Sequence, residues 1–185
     1  MAVIRFELPG AGYPARECAG IVVEPADPVQ AARDLPAVVA AGDTRTAEAE
    51  MRLRPAGLTA ELASRPGREV WAWIARERGA ESRPVGLVAL VRAGGQDAPR
   101  WSIGWLVVDP ARRRRGIGMA LVATAVRFAG ARGARVVHAE TLDRWPAAGV
   151  FWAKVRLAAG GDSARLQGSG ESRETAEGRT LRQKY

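Results

Sequence analysis

Cysteine, histidine and lysine are almost missing from this chain, and each scarcity removes a class of function. Cys18 is the only cysteine, which excludes an internal disulfide framework and any cysteine-rich zinc site. His138 is the only histidine, so no histidine-based metal centre is expected. No apolar run approaches the roughly 20 residues that span a bilayer, and no membrane association is expected. The opening Met1-Ala2-Val3-Ile4-Arg5-Phe6-Glu7 places no basic region ahead of a long apolar stretch, so a secretory signal is not expected either. A cytoplasmic protein without a structural metal is the default expectation.

Lysine occurs only as Lys154 and Lys184, so the formal net charge of +8 is almost entirely arginine. Arginine and alanine richness follows from a GC-rich coding sequence whatever the function. The basic balance still suits anionic ligands, whether a nucleotide cofactor, nucleic acid or an acidic surface. The arginines are dispersed, which argues against a nucleic-acid footprint. The exception is Arg112-Arg113-Arg114-Arg115.

What is present is an ordinary globular composition, 47% hydrophobic and 26% charged, and 185 residues suffice for one domain with a full core. Residues 1–18, with Gly10-Ala11-Gly12-Tyr13-Pro14, read as an N-terminal extension of uncertain order. Residues 19–185 read as a single domain. Gly20–Glu24 reads as a short strand, and Asp27-Pro28 as a cap and first helical position opening a helix to about Ala40. A second helix is expected near Leu58–Ser64. Glu69–Ala75, Val85–Val91 and Trp101–Val108 read as three strands of an antiparallel meander. Helical spacing follows from Arg115 to Ala129, then a strand over Arg135–Glu140 and a last helix over Ala147–Val155. Beyond Gly160 the composition turns to Gly, Ser, Arg and Glu. A terminal hairpin, Ser163–Gln167 against Arg179–Tyr185, and a disordered tail are both open readings of residues 160–185.

Chemistry concentrates in Leu106-Val107-Val108-Asp109-Pro110-Ala111-Arg112-Arg113-Arg114-Arg115-Gly116-Ile117-Gly118-Met119. A strand feeds a short loop that delivers two glycines to the first turn of a helix. Helix N-termini carry unpaired N–H groups and roughly half a positive charge, so they bind phosphate. Glycine there lets a pyrophosphate approach the backbone. Arginines stacked at that end have the wrong sign for stability unless an anion completes the site. A dinucleotide fingerprint would need a third glycine where Leu121 stands, and a nucleoside-triphosphate loop would need Lys then Ser or Thr where Met119-Ala120 stand.

Arg113-x-x-Gly116-x-Gly118, preceded by Val108-Asp109-Pro110, resembles the Arg/Gln-x-x-Gly-x-Gly/Ala motif of the GCN5-related N-acetyltransferase (GNAT) family. The resemblance extends over roughly Gly20–Leu157, with the motif-bearing core at 68–157. It implies an α/β fold with a mixed, mainly antiparallel sheet flanked by helices and splayed between two central strands. It also implies acetyl-CoA as co-substrate, without a metal. The backbone of Leu106, Val107 and Val108 would pair with the pantetheine arm as an extra strand. The N–H groups of Arg114, Arg115, Gly116, Ile117, Gly118 and Met119 would hold the pyrophosphate, with arginine side chains such as Arg113 adding charge. Direct attack by a primary amine on the thioester would follow, the amine belonging to a small molecule or a protein N-terminus.

The chain departs from the family where the chemistry is completed. The motif Asn-x-x-Ala-x-x-Phe-Tyr-x-Lys becomes Trp145-x-x-Ala148-x-x-Phe151-Trp152-x-Lys154, and an indole cannot replace a tyrosine proton donor. A catalytically silent CoA-binding regulatory module is therefore a second reading, and a basic nucleic-acid-binding protein a third. His138 and Glu140 share one face of their strand and stand as base candidates acting through water, or as a buried histidine and a salt-bridge partner. Trp71 with Trp73, and Trp101 with Trp105, are each expected to share a strand face, as core or as an aromatic acceptor pocket. Cys18 reads as an inert thiol. The tail either closes its own sheet or completes that of a second copy, which makes a homodimer one outcome.

Overall fold

The computed structural model describes residues 3–31, 33, 62–79, 82–94, 99–142 and 146–160. Most of the two N-terminal helices expected from the sequence, and the expected terminal hairpin, lie outside those residues. The six strands β1 (Val3–Pro9), β2 (Ile21–Ala26), β3 (Arg68–Glu77), β4 (Pro84–Ala93), β5 (Arg100–Val108) and β6 (Val136–Leu142) form one sheet in the order β1-β6-β5-β4-β3-β2. Every neighbouring pair is antiparallel except β5 with β6, which is parallel. A parallel pair needs a crossover, and helix α1 (Ile117–Gly130) supplies it. Helix α2 (Pro146–Ala158) follows β6.

Both helices pack on one face of the sheet. Ile117, Leu121, Val122 and Val126 of α1 and Trp152 and Val155 of α2 share a core with Phe6, Leu8, Val88, Leu90 and Ile103. Gly86 lets α1 come close, because a Cβ there would lie 2.9 Å from Leu121 Cδ1 and 3.2 Å from Ile117 Cγ2. The other face of β3 and β4 buries Ala72, Ile74, Leu87 and Ala89 with Ala31 and Leu62. Asp27 caps the helical turn that begins at Pro28, its Oδ1 accepting from Val29 N and Gln30 N at 2.9 Å each.

Residues 3–9 correct the reading of an N-terminal extension of uncertain order. They form β1, paired with β6 from Val3↔Leu142 to Pro9↔Val136. Phe6 and Leu8 face the helices and are buried, while Arg5 and Glu7 face away. Tyr13 continues the anchoring, its buried hydroxyl donating to Val155 O at 3.1 Å. Burial raises the pKa of that phenol, against the charge of Arg16, which lowers it.

A second correction concerns β5. The β4–β5 register passes from Ala89↔Trp105 to Leu90↔Ile103, which leaves Gly104 as an extra residue. Such a bulge reverses the facing of everything beyond it. Trp101 and Ile103 belong to the core under α1, and past the bulge Leu106 and Val108 take over that face. Trp105 and Val107 pack on the opposite side. Trp101 and Trp105 therefore do not share a face.

Candidate functional site

β5 and β6 pair only through Trp101↔Val137, Ser102↔His138 and Ile103↔Ala139. β5 continues to Val108 and β6 to Leu142 without further partners from each other. The separation begins at the Gly104 bulge, which turns β5 away. A gap opens between the two strands, its β5 side presenting the main chain of Leu106, Val107 and Val108.

The loop after Val108 is held rigidly. Asp109 is buried, donates its N–H to Val85 O at 2.8 Å and accepts from Ala111 N at 2.9 Å. A single 3₁₀ turn, Pro110–Arg112, follows. The four arginines then divide by role. Arg112 turns back to the end of β3, with Nε 2.7 Å from Glu77 Oε1 and Nη2 3.4 Å from Oε2. Arg115 Nη1 reaches the same Oε1 at 3.5 Å. The Arg112 hydrogen bond is the main reason the Glu77 carboxyl is held below its ordinary range; burial opposes it, and the Arg112, Arg115 and Arg83 charges reinforce it. Arg113 Nε donates to Val108 O at 3.3 Å, and Arg114 is exposed.

The backbone here adopts left-handed conformations at Arg114 (φ 66°) and Gly116 (φ 90°). Such turns direct successive N–H groups toward one concave side, the geometry of an anion nest. Gly116 is the N-cap of α1 and makes no side-chain cap, and the first turn contains no acidic residue. The positive end of α1 thus carries no counter-charge in its own first turn. Cys18 supports the loop from behind, its Sγ donating to Arg115 O at 3.0 Å.

Gly118 has a packing reason besides any ligand. A Cβ on it would lie 3.1 Å from Phe151 Cε2 and 3.6 Å from Val108 Cγ2. The residue therefore lets α2 close against α1 where β5 ends. Leu106, Val107, Val108 and residues 113–119 are thus brought together as strand end, loop and first helical turn.

His138 and Glu140 stand on the opposite face of the sheet, since Val137 and Ala139 face the helices. Glu140 Oε1 pairs with Arg5 Nε at 3.0 Å and Arg100 Nη2 at 2.9 Å. His138 lies between Glu7 of β1 and Ser102 of β5. Trp152 is buried, 6% exposed, and packs edge-on against Phe151 at 5.1 Å and against Phe6 at 6.4 Å. Trp145 lies outside the described residues. Trp71 stacks on Trp101 at 5.3 Å, and Phe128 of α1 contacts Trp71 and Trp73. Those three tryptophans pack with the core beneath α1, which favours the packing reading over an acceptor pocket. Glu77, Arg5 and strand β1 are not among the residues and elements expected from the sequence. Glu77 offered no signal beyond its charge, but Ile4, Phe6 and Leu8 alternating with Arg5 and Glu7 did. Among the described residues no group of potential ligands could hold a metal ion, and no helix is long and apolar enough to cross a membrane.

The family model described as acetyltransferase (GNAT) family matches residues 41–154, well over half of the chain. No curated protein has a matching sequence. Among solved structures, a tandem GNAT protein from the clavulanic acid biosynthesis pathway is similar at a TM-score of 0.59 and 19% identity, over 86% of this chain and 49% of that one. The chain thus spans about half of the tandem protein's length. A GNAT-family acetyltransferase structure from Desulfovibrio desulfuricans gives a TM-score of 0.55 at 19% identity, over 72% of this chain and 82% of that one. An aminoglycoside acetyltransferase from an uncultured soil metagenomic sample, solved with sisomicin, gives 0.56 at 16% identity, over 88% and 97%.

Proposed function

The chain belongs to the acetyltransferase (GNAT) family, and from that premise we propose that it transfers an acetyl or short acyl group from acyl-CoA to a primary amine. The observation that carries the proposal is the uncapped N-terminus of α1, reached through two left-handed residues and placed beside the β5–β6 gap. Residues 114–119 offer their N–H groups to the pyrophosphate, and the Arg113 and Arg114 side chains add positive charge. The main-chain edge at Leu106–Val108 receives the pantetheine arm as an added strand, Arg113 Nε giving up Val108 O to it. Residues 19–185 together with β1 act as one acyltransferase domain.

The amine arrives on the face that carries His138 and Glu140. His138 takes its proton through a water molecule. Glu140, clamped at Oε1 by Arg5 and Arg100, offers its carboxylate as a positioned hydrogen-bond acceptor for the amine. A multiply aminated sugar is the first acceptor to test, since an aminoglycoside acetyltransferase shares this fold. A second reading, CoA binding without turnover, draws support from Trp152. It is buried in the core and stands where the family carries its tyrosine donor.

Calorimetric titration of acetyl-CoA into the wild type, followed by thiol release over a panel of amines, tests both. Micromolar binding with thiol release supports transfer. Equal binding without release from any amine supports the silent module, and no binding by the folded protein overturns both.

A further inference from the structure

Two polar side chains outside the aromatics are buried among the described residues, Asp109 at 2% and Thr141 at 5% exposure. Asp109 is satisfied by its backbone partners. The Thr141 hydroxyl has no hydrogen-bond partner among the described residues. A buried hydroxyl without a partner opposes folding, so its presence needs a reason.

Its place in the sheet supplies one. The last β5–β6 pair is Ile103↔Ala139, and Thr141 is the next β6 residue on the same face as Ala139, the face under α1 and α2. Across the gap, β5 presents Leu106 and Val108 to that face. Thr141 therefore borders the opening on its β6 side. Trp152, which stands where the family's tyrosine would be, is packed between Phe6 and Phe151, and its indole cannot release a proton to sulfur.

We propose that the Thr141 hydroxyl donates a hydrogen bond to the sulfur of CoA as it leaves, a role that rests on the acyl-CoA reading above. In that step the amine nitrogen forms a bond to the thioester carbonyl carbon. The carbon–sulfur bond breaks, and its electron pair goes to sulfur. The amine proton passes through water to His138, as in the reading above, and the thiolate later takes a proton from solvent. Thr141 stays neutral throughout, stabilising the thiolate rather than protonating it.

The test compares Thr141→Val and Thr141→Ser with the wild type. Valine keeps the shape and removes the orphan hydroxyl, so its melting temperature should rise by about 2–4 °C. At pH 9.5, above the roughly 8.5 of an ordinary thiol, its affinity for free CoA should fall by about tenfold. Its affinity for acetyl-CoA, whose sulfur carries no charge, should stay within about twofold. Serine should restore CoA binding. A valine variant that loses stability, or one that binds CoA at pH 9.5 as tightly as the wild type, overturns the inference. A folded wild type that binds neither ligand overturns the acyl-CoA reading and this role with it.

Discussion

Placing a carboxylate at the cap of α1 should weaken coenzyme binding at least about tenfold while leaving the fold intact. Gly116 has φ 90°, and a Cβ there meets only Cys18 Sγ, at 3.9 Å. Substitution is therefore limited by backbone conformation and not by space. Asn and Asp tolerate left-handed backbone better than other side chains, so Gly116→Asn and Gly116→Asp should each cost about 1 kcal/mol. The aspartate recovers about 0.3–1 kcal/mol from the helix dipole. Stability should thus be equal in the two variants or slightly higher in the aspartate. Binding should differ sharply. A carboxylate about 5 Å from a doubly charged pyrophosphate is repelled by about 1.7 kcal/mol even at the dielectric of water, and by about four times that at an effective value of 20. At 1.4 kcal/mol per decade the dissociation constant rises at least about tenfold at low salt, and the excess shrinks as salt is added. Calorimetry with acetyl-CoA at two ionic strengths, beside thermal melts of both variants, measures each quantity. An aspartate variant with a native melt that binds acetyl-CoA as well as the asparagine one refutes the assignment of the anion to this helix end.

Three further outcomes follow from contacts elsewhere. Phe6→Ala should cost about 3–5 kcal/mol in urea denaturation, because Phe6 is 2% exposed in the core against Trp152; a cost under about 1 kcal/mol would show that β1 is dispensable. Gly130→Ala should destabilise the protein by about 1–3 kcal/mol, despite the helix preference of alanine, because the new Cβ would run into Gly10 O. A neutral or stabilising result would mean that the segment after β1 is not seated there. Glu77→Gln should lower stability only where Glu77 is ionised in the wild type. Its folded-state pKa is depressed, so the wild-type advantage is full above the ordinary value of 4.5 and is lost as pH falls through the depressed value. Melts from pH 7 to pH 2 that keep a constant gap between the two proteins would refute this role.

The sequence revealed most where one local rule governs. The meander β3–β5 and helix α1 were legible from their periodicity. The strand–loop–helix junction was legible because Asp109-Pro110 closes a strand pattern and Gly116 precedes a helical periodicity. The division of labour within the loop was not, since nothing in Arg112-Arg113-Arg114-Arg115 tells which guanidinium turns back to Glu77, 35 residues earlier. Gly104 hid the bulge in the same way. A glycine inside a strand is a recognised mark of one, yet counting by twos through it assigned Trp105 to the wrong face.

The strand missed altogether has the most consequence for the site. Val3–Pro9 carries its own alternation, but its neighbour is β6, from Val136 onward at the far end of the described chain, and only that pairing makes it a strand. Once formed, β1 occupies the side of β6 that faces away from β5. Among the described residues, the part of β6 that β5 leaves unpaired is the stretch that borders the gap. The face that carries His138 and Glu140 is consequently built in part by β1, with Arg5 fixing Glu140 and Glu7 lying across from His138. Acceptor choice on the proposed reading should therefore respond to residues 5 and 7. In Arg5→Gln the pairing partner of Glu140 is reduced to Arg100, and the constant measured for the amine should change while that for acetyl-CoA does not. If both constants move together, β1 supports the whole fold and has no separate part in the acceptor site.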